Sequence, residues 1–395
     1  MPTSRCIETV IMLHGKKVIT LQSARITDAA ICISRPQVAA FRLGRHHLAK
    51  RAPRESLVAV VRDMCGVQAQ VMAAAQVALW ARVERLTTED IEQALWQERT
   101  LVKTWSMRGT VHLLPAQDLP VHVGALKRAL VGEVWRWIAR HRVSAQEAQA
   151  MTEAVLEALA GGPLTRRELS EKVVTILGPQ AKQWIEHSWG GLVKQACLEG
   201  RVSYGPNRRQ EITFVRRNRW LPALNELPIE EAQAALLRRY LRSYGPAAPR
   251  DLAAWTGMNI GDVMPIWSRL RDELAEVNVE GKVGWILRED LDLLQEGTID
   301  DQHVRLLPSF DSYMLGHHDK SHLVDEAHYK LVYRKAGWLS PVVLVAGRVA
   351  GIWSYEYRGK RLLLRVQPFD GLSPAVRNGI EAEAADLGRF LGGAC

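Results

Sequence analysis

Two glutamines, Gln68 and Gln70, are the residues whose type and spacing point most directly to chemistry. They belong to the run M-C-G-V-Q-A-Q at residues 64–70, which follows an apolar helical stretch. In an extended segment, side chains two residues apart point to the same side, so both amides would face one cleft. An amide is not a strong base, but its oxygen can position water and direct a negative dipole at a growing positive charge. The alternative is that both are polar residues at a helix end.

Other sets of candidate catalytic residues are weaker. His317, His318, Asp319 and His322 lie close in sequence, and His318 and His322 have the spacing of two metal ligands on one helical face. A polar loop explains this run equally simply, and we predict no metal there. The chain has no phosphate-binding G-x-x-x-x-G-K-[ST] run, no G-x-G-x-x-G and no G-x-S-x-G elbow, and we predict no cofactor.

Composition favours a polyanionic partner. The chain has 395 residues, a net charge of +9, 47% hydrophobic and 24% charged residues. These values are typical of a globular protein of several domains, and the positive charge suits nucleic acid. A membrane surface would fit the charge as well, but no apolar run approaches the ~20 residues needed to span a bilayer. The five cysteines are scattered and odd in number, which indicates a reducing cytoplasm.

The elements around the glutamines are predicted to be helices followed by a hairpin. Apolar residues recur at helical spacing over residues 38–48 and 54–64. Thr87 followed by two early carboxylates is typical of a helix start. Residues 102–105 and 110–113 alternate like two strands, with Arg108 and Gly109 as the turn between them.

An internal repeat extends this plan. Residues 162–169 and 245–252 both have the pattern G-P-x-x-x-R-acid-L and begin 83 residues apart. Each copy follows an amphipathic helix and precedes another helix and a β-hairpin, which is the winged helix-turn-helix order. We therefore predict a mainly α fold with β-hairpins (α+β), made of three tandem winged-helix domains and a C-terminal antiparallel β-barrel-like element. The predicted bounds are 1–35 for an N-terminal extension without signal-peptide character, then 36–142, 143–225, 226–299 and 300–395.

The last segment is strand-rich. Residues 341–345, 349–357 and 362–366 alternate like strands and are separated by glycine turns, and a final helix is predicted over 373–390.

Basic and aromatic residues are candidates for contacts with nucleic acid. Arginines are dense in the hairpin of the second domain, where wings place such groups on phosphates; the candidates are Arg208, Arg209, Arg216 and Arg217. A solvated basic face is the alternative. Trp105, beside the Arg108 turn, is a candidate for stacking on a base, although a buried strand tryptophan explains it too.

Several short runs together resemble one protein family. The Q-A-Q triplet, M-R-G-T-V-H-L at residues 107–113 and L-L-P-S-F-D-S-Y-M-L-G at residues 306–316 are similar to blocks of the AlkZ/YcaQ-type winged-helix DNA glycosylases. Residues 340–353 resemble the C-terminal β segment of that family. The matching blocks span about residues 38–370 and exclude residues 1–35.

The resemblance implies a monofunctional, cofactor-free DNA glycosylase that removes N7-alkylated purines and unhooks interstrand crosslinks. It assigns catalysis to Gln68 and Gln70, DNA contacts to Arg108 and His112, and lining of the active site to Asp311 and Tyr313. The implied partner is double-stranded DNA with alkylated bases or crosslinks, bound by a monomer in the cytoplasm at the nucleoid. The alternative is a non-catalytic winged-helix transcriptional regulator, because a fold does not fix a function.

Overall fold

The computed structural model describes residues 31–140, 143–186, 191–358 and 361–392. The prediction of an N-terminal extension therefore lies mostly outside the described residues. Residues 31–33, which were assigned to that extension, form a strand that pairs in parallel with a strand of the third helix-and-hairpin unit.

The first unit places helices before a hairpin, as predicted. Its elements are β1 (Ile31–Ile33), α1 (Arg35–Arg45), α2 (Leu57–Asp63), β2 (Val67–Gln68), α3 (Met72–Trp80), α4 (Thr88–Glu92), β3 (Leu101–Trp105), β4 (Val111–Pro115) and α5 (Leu119–Arg140). Strands β2, β4 and β3 form a sheet in that order. The side chain of Thr87 caps α4 by accepting the N–H of Asp90, and the N–H of Thr87 donates to the Asp90 carboxylate. This capping box confirms the predicted helix start.

The second unit repeats this arrangement. It comprises α6 (Ala145–Ala158), β5 (Leu164–Thr165), α7 (Arg166–Leu177), α8 (Lys182–Glu186), α9 (Gly191–Leu198), β6 (Val202–Arg208), β7 (Glu211–Arg216) and α10 (Arg217–Trp220). Its sheet has the order β5-β7-β6, so a short strand again pairs with one arm of a hairpin.

The third unit explains the repeated sequence. It comprises α11 (Ile229–Tyr244), α12 (Pro249–Thr256), α13 (Ile260–Arg269), β8 (Leu274–Val279), β9 (Lys282–Leu287) and α14 (Leu291–Gln295). The acidic residue of each repeat, Glu168 or Asp251, accepts the main-chain N–H of the residue three positions earlier, at 2.8 and 2.9 Å. The following leucine is buried in both copies. The repeat thus encodes a capped helix start with an apolar anchor.

The C-terminal unit is a four-stranded antiparallel sheet. It comprises β10 (Val304–Leu307), α15 (Ser312–Leu315), α16 (Glu326–Val332), β11 (Val342–Val345), β12 (Arg348–Arg358), β13 (Arg361–Pro368) and α17 (Pro374–Phe390). The strand order is β10-β11-β12-β13, and among the described residues β10 and β13 do not pair with each other. Within the described ranges this sheet is open; α17 packs on β10, and Glu383 accepts the N–H of Leu306 at 3.4 Å.

One apolar cluster runs through the three helix-and-hairpin units, and a second fills the C-terminal unit. Between the two parts lies a fully buried ion pair, in which Arg82 donates two hydrogen bonds to Asp311 at 2.7 and 2.8 Å. Within the described ranges, no helix has both the length and the apolar character needed to cross a bilayer.

Candidate active site

Gln68 lies on a short strand that is aligned against the M-R-G-T hairpin, and Gln70 follows two residues later. In β2, Gln68 is the register partner of His112 on β4. The extended pairing continues one residue further, where Ala69 donates its N–H to Val111 O at 2.7 Å. The chain is therefore extended through Gln68 and Ala69, and Gln70 lies at a bend directly after them. Gln68 is 9% exposed, whereas Gln70 is exposed at the end of the strand.

Gly66 sets the path of the chain into this strand. Its φ is +97°, and a Cβ built on it would lie 2.6 Å from Leu114 Cδ2. Only glycine meets both conditions without strain. The helix α2 can therefore end and turn directly into the strand that carries the glutamines.

Both amide oxygens have protein donors, which fixes the orientation of the amides. Arg108 Nη2 donates to Gln68 Oε1 at 2.9 Å, and the main-chain N–H of Val111 donates to Gln70 Oε1 at 3.2 Å. Guanidinium and main-chain N–H groups can only donate, so the atoms that face them must be oxygens. Each oxygen keeps a second lone pair for water or a sugar, since a carbonyl oxygen can accept twice.

In this structure Arg108 contacts Gln68, and the DNA contact expected of it stays a prediction. It sits in the turn between β3 and β4 with φ +56° and donates to Gln68 and to Trp255 O. Gly257 packs against it so closely that a Cβ there would be 3.0 Å from Arg108 Cα. Burial lowers the pKa of Arg108 to about 10, so the group remains charged at neutral pH. Its hydrogen-bonding capacity is turned inward, toward the glutamine.

His112 lies beneath this pair as a neutral imidazole. It is 2% exposed, and its Nδ1 lies 3.0 Å from Thr110 O, which can only accept, so Nδ1 carries the proton. Burial first, and then the charge of Arg108, lower the pKa of His112 well below its usual range. The imidazole therefore lies beside Gln68 in the sheet as its register partner and is uncharged.

Three side chains from distant parts of the chain hold the segment that leads into β2. Ser243 donates to Asp63 O, Tyr244 donates to Met64 O at 3.1 Å, and Ser312 donates to Gly66 O at 3.2 Å. These carbonyls lie where α2 ends, so they lack a continuing helix to bond them. The strand with the glutamines is thus fixed by the third unit and the C-terminal unit together.

Trp105 does not reach a DNA surface in this conformation. The side chain is 8% exposed, and its ring packs 4.9 Å from Tyr204 and 6.4 Å from Phe214, centroid to centroid. These partners belong to the sheet of the second unit. The buried-strand interpretation describes Trp105, and its neighbours leave no face for a base.

Asp311 and Tyr313 are both buried, and among the described residues their hydrogen bonds go to groups other than the glutamines. The carboxylate of Asp311 is occupied by Arg82 and by the N–H of Tyr313 at 2.9 Å. Tyr313 donates its hydroxyl to Gly347 O at 3.1 Å and lines a separate cavity. The block at residues 306–316 reaches the segment that leads into β2 through Ser312, which donates to Gly66 O.

The arginines of the second hairpin divide into two groups. Arg208 and Arg209 are exposed at the tip between β6 and β7, where Arg208 pairs with Glu168 and Arg209 adopts φ +59°. Arg216 and Arg217 are half-buried at the base of the hairpin. The tip is therefore the exposed cationic part of this hairpin.

Two groups that contact the M-R-G-T hairpin could not have been predicted from local sequence patterns. The main-chain carbonyl of Trp255 holds Arg108 from 147 residues away. Lys194, on α9 of the second unit, places Nζ 2.7 Å from where a Cβ of Gly109 would be. Among the described residues, no three His, Cys, Asp or Glu side chains come together as a metal site.

Comparison with known proteins decides the family. The family described as "DNA glycosylase AlkZ-like" matches residues 61–390, which include the glutamines, the hairpin and the C-terminal sheet. The chain belongs to the AlkZ-like DNA glycosylases. A relative from Streptomyces sahachiroi, the "Interstrand DNA cross-link repair glycosylase", is 32% identical over 368 residues, covering 90% of this chain and 96% of its own.

A solved structure agrees with this membership. The Streptomyces sahachiroi DNA glycosylase AlkZ superposes on the AlkZ-like chain with a TM-score of 0.81 and 30% identity. The match covers 92% of this chain and 98% of the other. The mixed helix and sheet architecture is therefore shared over nearly the whole length of both proteins.

Proposed function

We propose that this protein is a monofunctional DNA glycosylase that hydrolyses the N-glycosidic bond of cationic N7-alkylated purines in double-stranded DNA and also unhooks interstrand crosslinks. The observation that carries the proposal is the fixed orientation of both glutamine side chains. Each amide oxygen accepts a hydrogen bond from a group that can only donate, Arg108 for Gln68 and the N–H of Val111 for Gln70. Membership of the AlkZ-like family and the relative named for crosslink repair support the same activity.

The chemistry explains why amides suffice. Cleavage of an N-glycosidic bond passes through an oxocarbenium-like state, in which positive charge grows on the sugar. An N7-alkylated purine already carries a positive charge and leaves as a neutral base, so little acid catalysis is needed. The remaining requirements are a positioned water and a fixed negative dipole, and the free lone pairs of Gln68 and Gln70 can supply both.

The nearby charge of Arg108 is offset by its surroundings. A guanidinium 2.9 Å from Gln68 Oε1 would by itself oppose a cationic sugar. Its other hydrogen bond goes to Trp255 O in the last turn of α12, where the helix dipole places partial negative charge. Arg108 therefore acts by orienting Gln68, and the net field at the amide is smaller than a free cation would produce.

We further propose that the three helix-and-hairpin units are winged-helix domains with the bounds 36–142, 143–225 and 226–299, followed by the β-rich unit at 300–395. The exposed tip of the second hairpin would lie along the phosphates, with Arg209 as its free cation and Arg208 released from Glu168 on binding. The protein would act as a monomer on DNA at the nucleoid of the cytoplasm. The basic charge of +9 favours such a partner.

Excision of 7-methylguanine from a defined duplex tests the activity. We expect alkali-dependent strand breaks from the wild-type chain and none above background from the Gln68→Ala/Gln70→Ala variant. Each single substitution should lower the rate about ten- to a thousandfold, the effect of removing one preorganised dipole. Breaks before alkali treatment would contradict a monofunctional enzyme.

Two further substrates define specificity. A duplex with uracil carries a neutral leaving group, and we expect no excision from it. A duplex joined by an N7-guanine crosslink should separate into two strands after treatment. Selective binding of one DNA sequence, with no base release from any of the three substrates, would refute the proposal and favour a regulator.

A further inference from the structure

A cavity that does not include the glutamines is formed where α1, the third unit and the C-terminal unit meet. It has a volume of about 530 Å³, within the ~300–1,000 Å³ range of small-molecule sites. Neither Gln68 nor Gln70 lines it. The wall contains Tyr313 and the H-H-D run at residues 317–319 together with His322, and the proposed glycosylase reaction uses none of these.

His317 presents an unpaired acceptor in this wall. The side chain is 6% exposed, and its Nε2 lies 2.8 Å from Tyr244 O, so Nε2 carries the proton. Nδ1 must then hold a lone pair, and it is buried with no hydrogen-bond partner among the described residues. Buried polar atoms are nearly always paired, so an unpaired acceptor in a cavity wall indicates a ligand with an N–H or O–H donor.

The neighbouring groups favour an organic ligand over a metal ion. The ring of His322 lies 4.7 Å from that of His317, edge to face. Burial lowers the pKa of both rings well below the usual range, so both are neutral. The nearest carboxylates are already engaged: Asp319 pairs with Lys282, and Asp251 accepts main-chain N–H groups of Ala248 and His318. Two imidazoles without a third free ligand do not make a metal site.

Two cations of the wall are available to an anion. The cationic side chains Arg35, Lys282 and Arg348 line the cavity but pair with Glu280, Asp319 and Asp325. Arg250, which is exposed, and Arg42 have no carboxylate partner among the described residues; the carboxylates of the wall are Asp251, Asp301 and Asp319. Arg42 is 7% exposed and donates to three main-chain carbonyls, at Tyr244, Gly245 and Pro246, rather than to a carboxylate. The remainder of the wall is apolar, and includes Val38, Ala39 and Val345.

We propose that this cavity is a binding site for a nucleoside monophosphate. Its phosphate would meet the cationic side of the wall, and a hydroxyl or ring N–H would donate to His317 Nδ1. The flat base would fill the apolar part of the cavity. This site is separate from the glycosylase centre and does not depend on the proposed reaction.

Calorimetric titration of the full chain with GMP tests the site. We expect saturable 1:1 binding that weakens at least tenfold in His317→Gln. In that variant the amide Nε2 can still donate to Tyr244 O, but the remaining acceptor, Oε1, is bonded to Cδ and does not occupy the position of Nδ1. Arg250→Gln, at an exposed position of the wall, should weaken binding severalfold without affecting the fold. Arg167→Gln, an exposed arginine on α7 outside the cavity, is the matched control and should bind GMP normally.

Other outcomes would overturn the assignment. They are absence of GMP binding at millimolar concentration, unchanged affinity in both His317→Gln and Arg250→Gln, or equal affinity for inorganic phosphate alone. Loss of GMP binding in the Gln68→Ala/Gln70→Ala variant would place the nucleotide in the glycosylase centre and would also contradict the proposal. If His317→Gln fails to fold, Arg250→Gln and the phosphate comparison still decide it.

Discussion

Replacing Arg108 by lysine separates two roles for this residue. Arginine fills two acceptors with one planar group, Gln68 Oε1 at 2.9 Å and Trp255 O. Lysine keeps the charge but cannot serve both, because a single ammonium lacks the forked geometry. A hydrogen bond to a charged group contributes about 1.5–3 kcal/mol, and 1.36 kcal/mol is a factor of ten in rate. We therefore expect Arg108→Lys to lower the maximal excision rate about ten- to a hundredfold.

Single-turnover excision of 7-methylguanine, measured over a range of protein concentrations, distinguishes a loss of rate from a loss of affinity. Arg108→Lys should lower the rate at saturation and leave the half-saturating concentration nearly unchanged. Arg209→Ala, at the exposed hairpin tip, is the matched comparison and should do the opposite. If Arg108→Lys keeps the full saturating rate and only binds DNA more weakly, Arg108 is a phosphate contact and our positioning argument is wrong.

Three further substitutions test the placement of buried residues. Trp105→Ala should lower the free energy of unfolding by about 3–5 kcal/mol in urea, because the ring fills the contact with Tyr204 and Phe214; a loss of DNA affinity without a loss of stability would contradict this. Asp311→Ala should cost about 3–5 kcal/mol, since it strands the buried charge of Arg82, while the excision rate of the folded protein persists. Burial lowers the pKa of His122 to about 3, so protonation favours the unfolded chain. Above pH 6.5 the ring of His122 is neutral in both states and protonation costs no stability. As the pH falls from 6.5 toward 3 the free energy of unfolding decreases, by about 2 kcal/mol at pH 5. Urea unfolding at pH 7.5 and 5 should show a smaller difference for His122→Gln than for wild type.

Local patterns predicted the elements well. The alternation at residues 341–345, 349–357 and 362–366 corresponds to β11, β12 and β13, and the last helix ends at Phe390 as expected. The repeated G-P-x-x-x-R-acid-L run marked two helix starts because its acidic residue is a local cap. All of these features depend on residues within a few positions of one another.

The roles of single site residues depended on contacts that no local pattern contains. Arg108 looked like a solvent-facing turn residue, but its partner is a carbonyl 147 residues away. Asp311 looked like a free carboxylate and is bonded to Arg82 across 229 residues. Among the described residues the predicted barrel-like element is an open antiparallel sheet, and α17, which packs on β10, comes from much later in the sequence. Packing between distant segments decides whether a polar side chain faces DNA or the interior.

The three hydrogen bonds onto the carbonyls of Asp63, Met64 and Gly66 determine how portable the glutamine pair is. Their donors belong to the third unit and the C-terminal unit. A fragment containing only the first unit would keep the Q-x-Q sequence but would lose the supports that set the strand's direction. Grafting the triplet onto a different helix-and-hairpin domain would meet the same obstacle. For an engineer, the smallest transferable catalytic unit is therefore close to the whole chain, and new specificities are better sought at the hairpin tips than by exchanging domains.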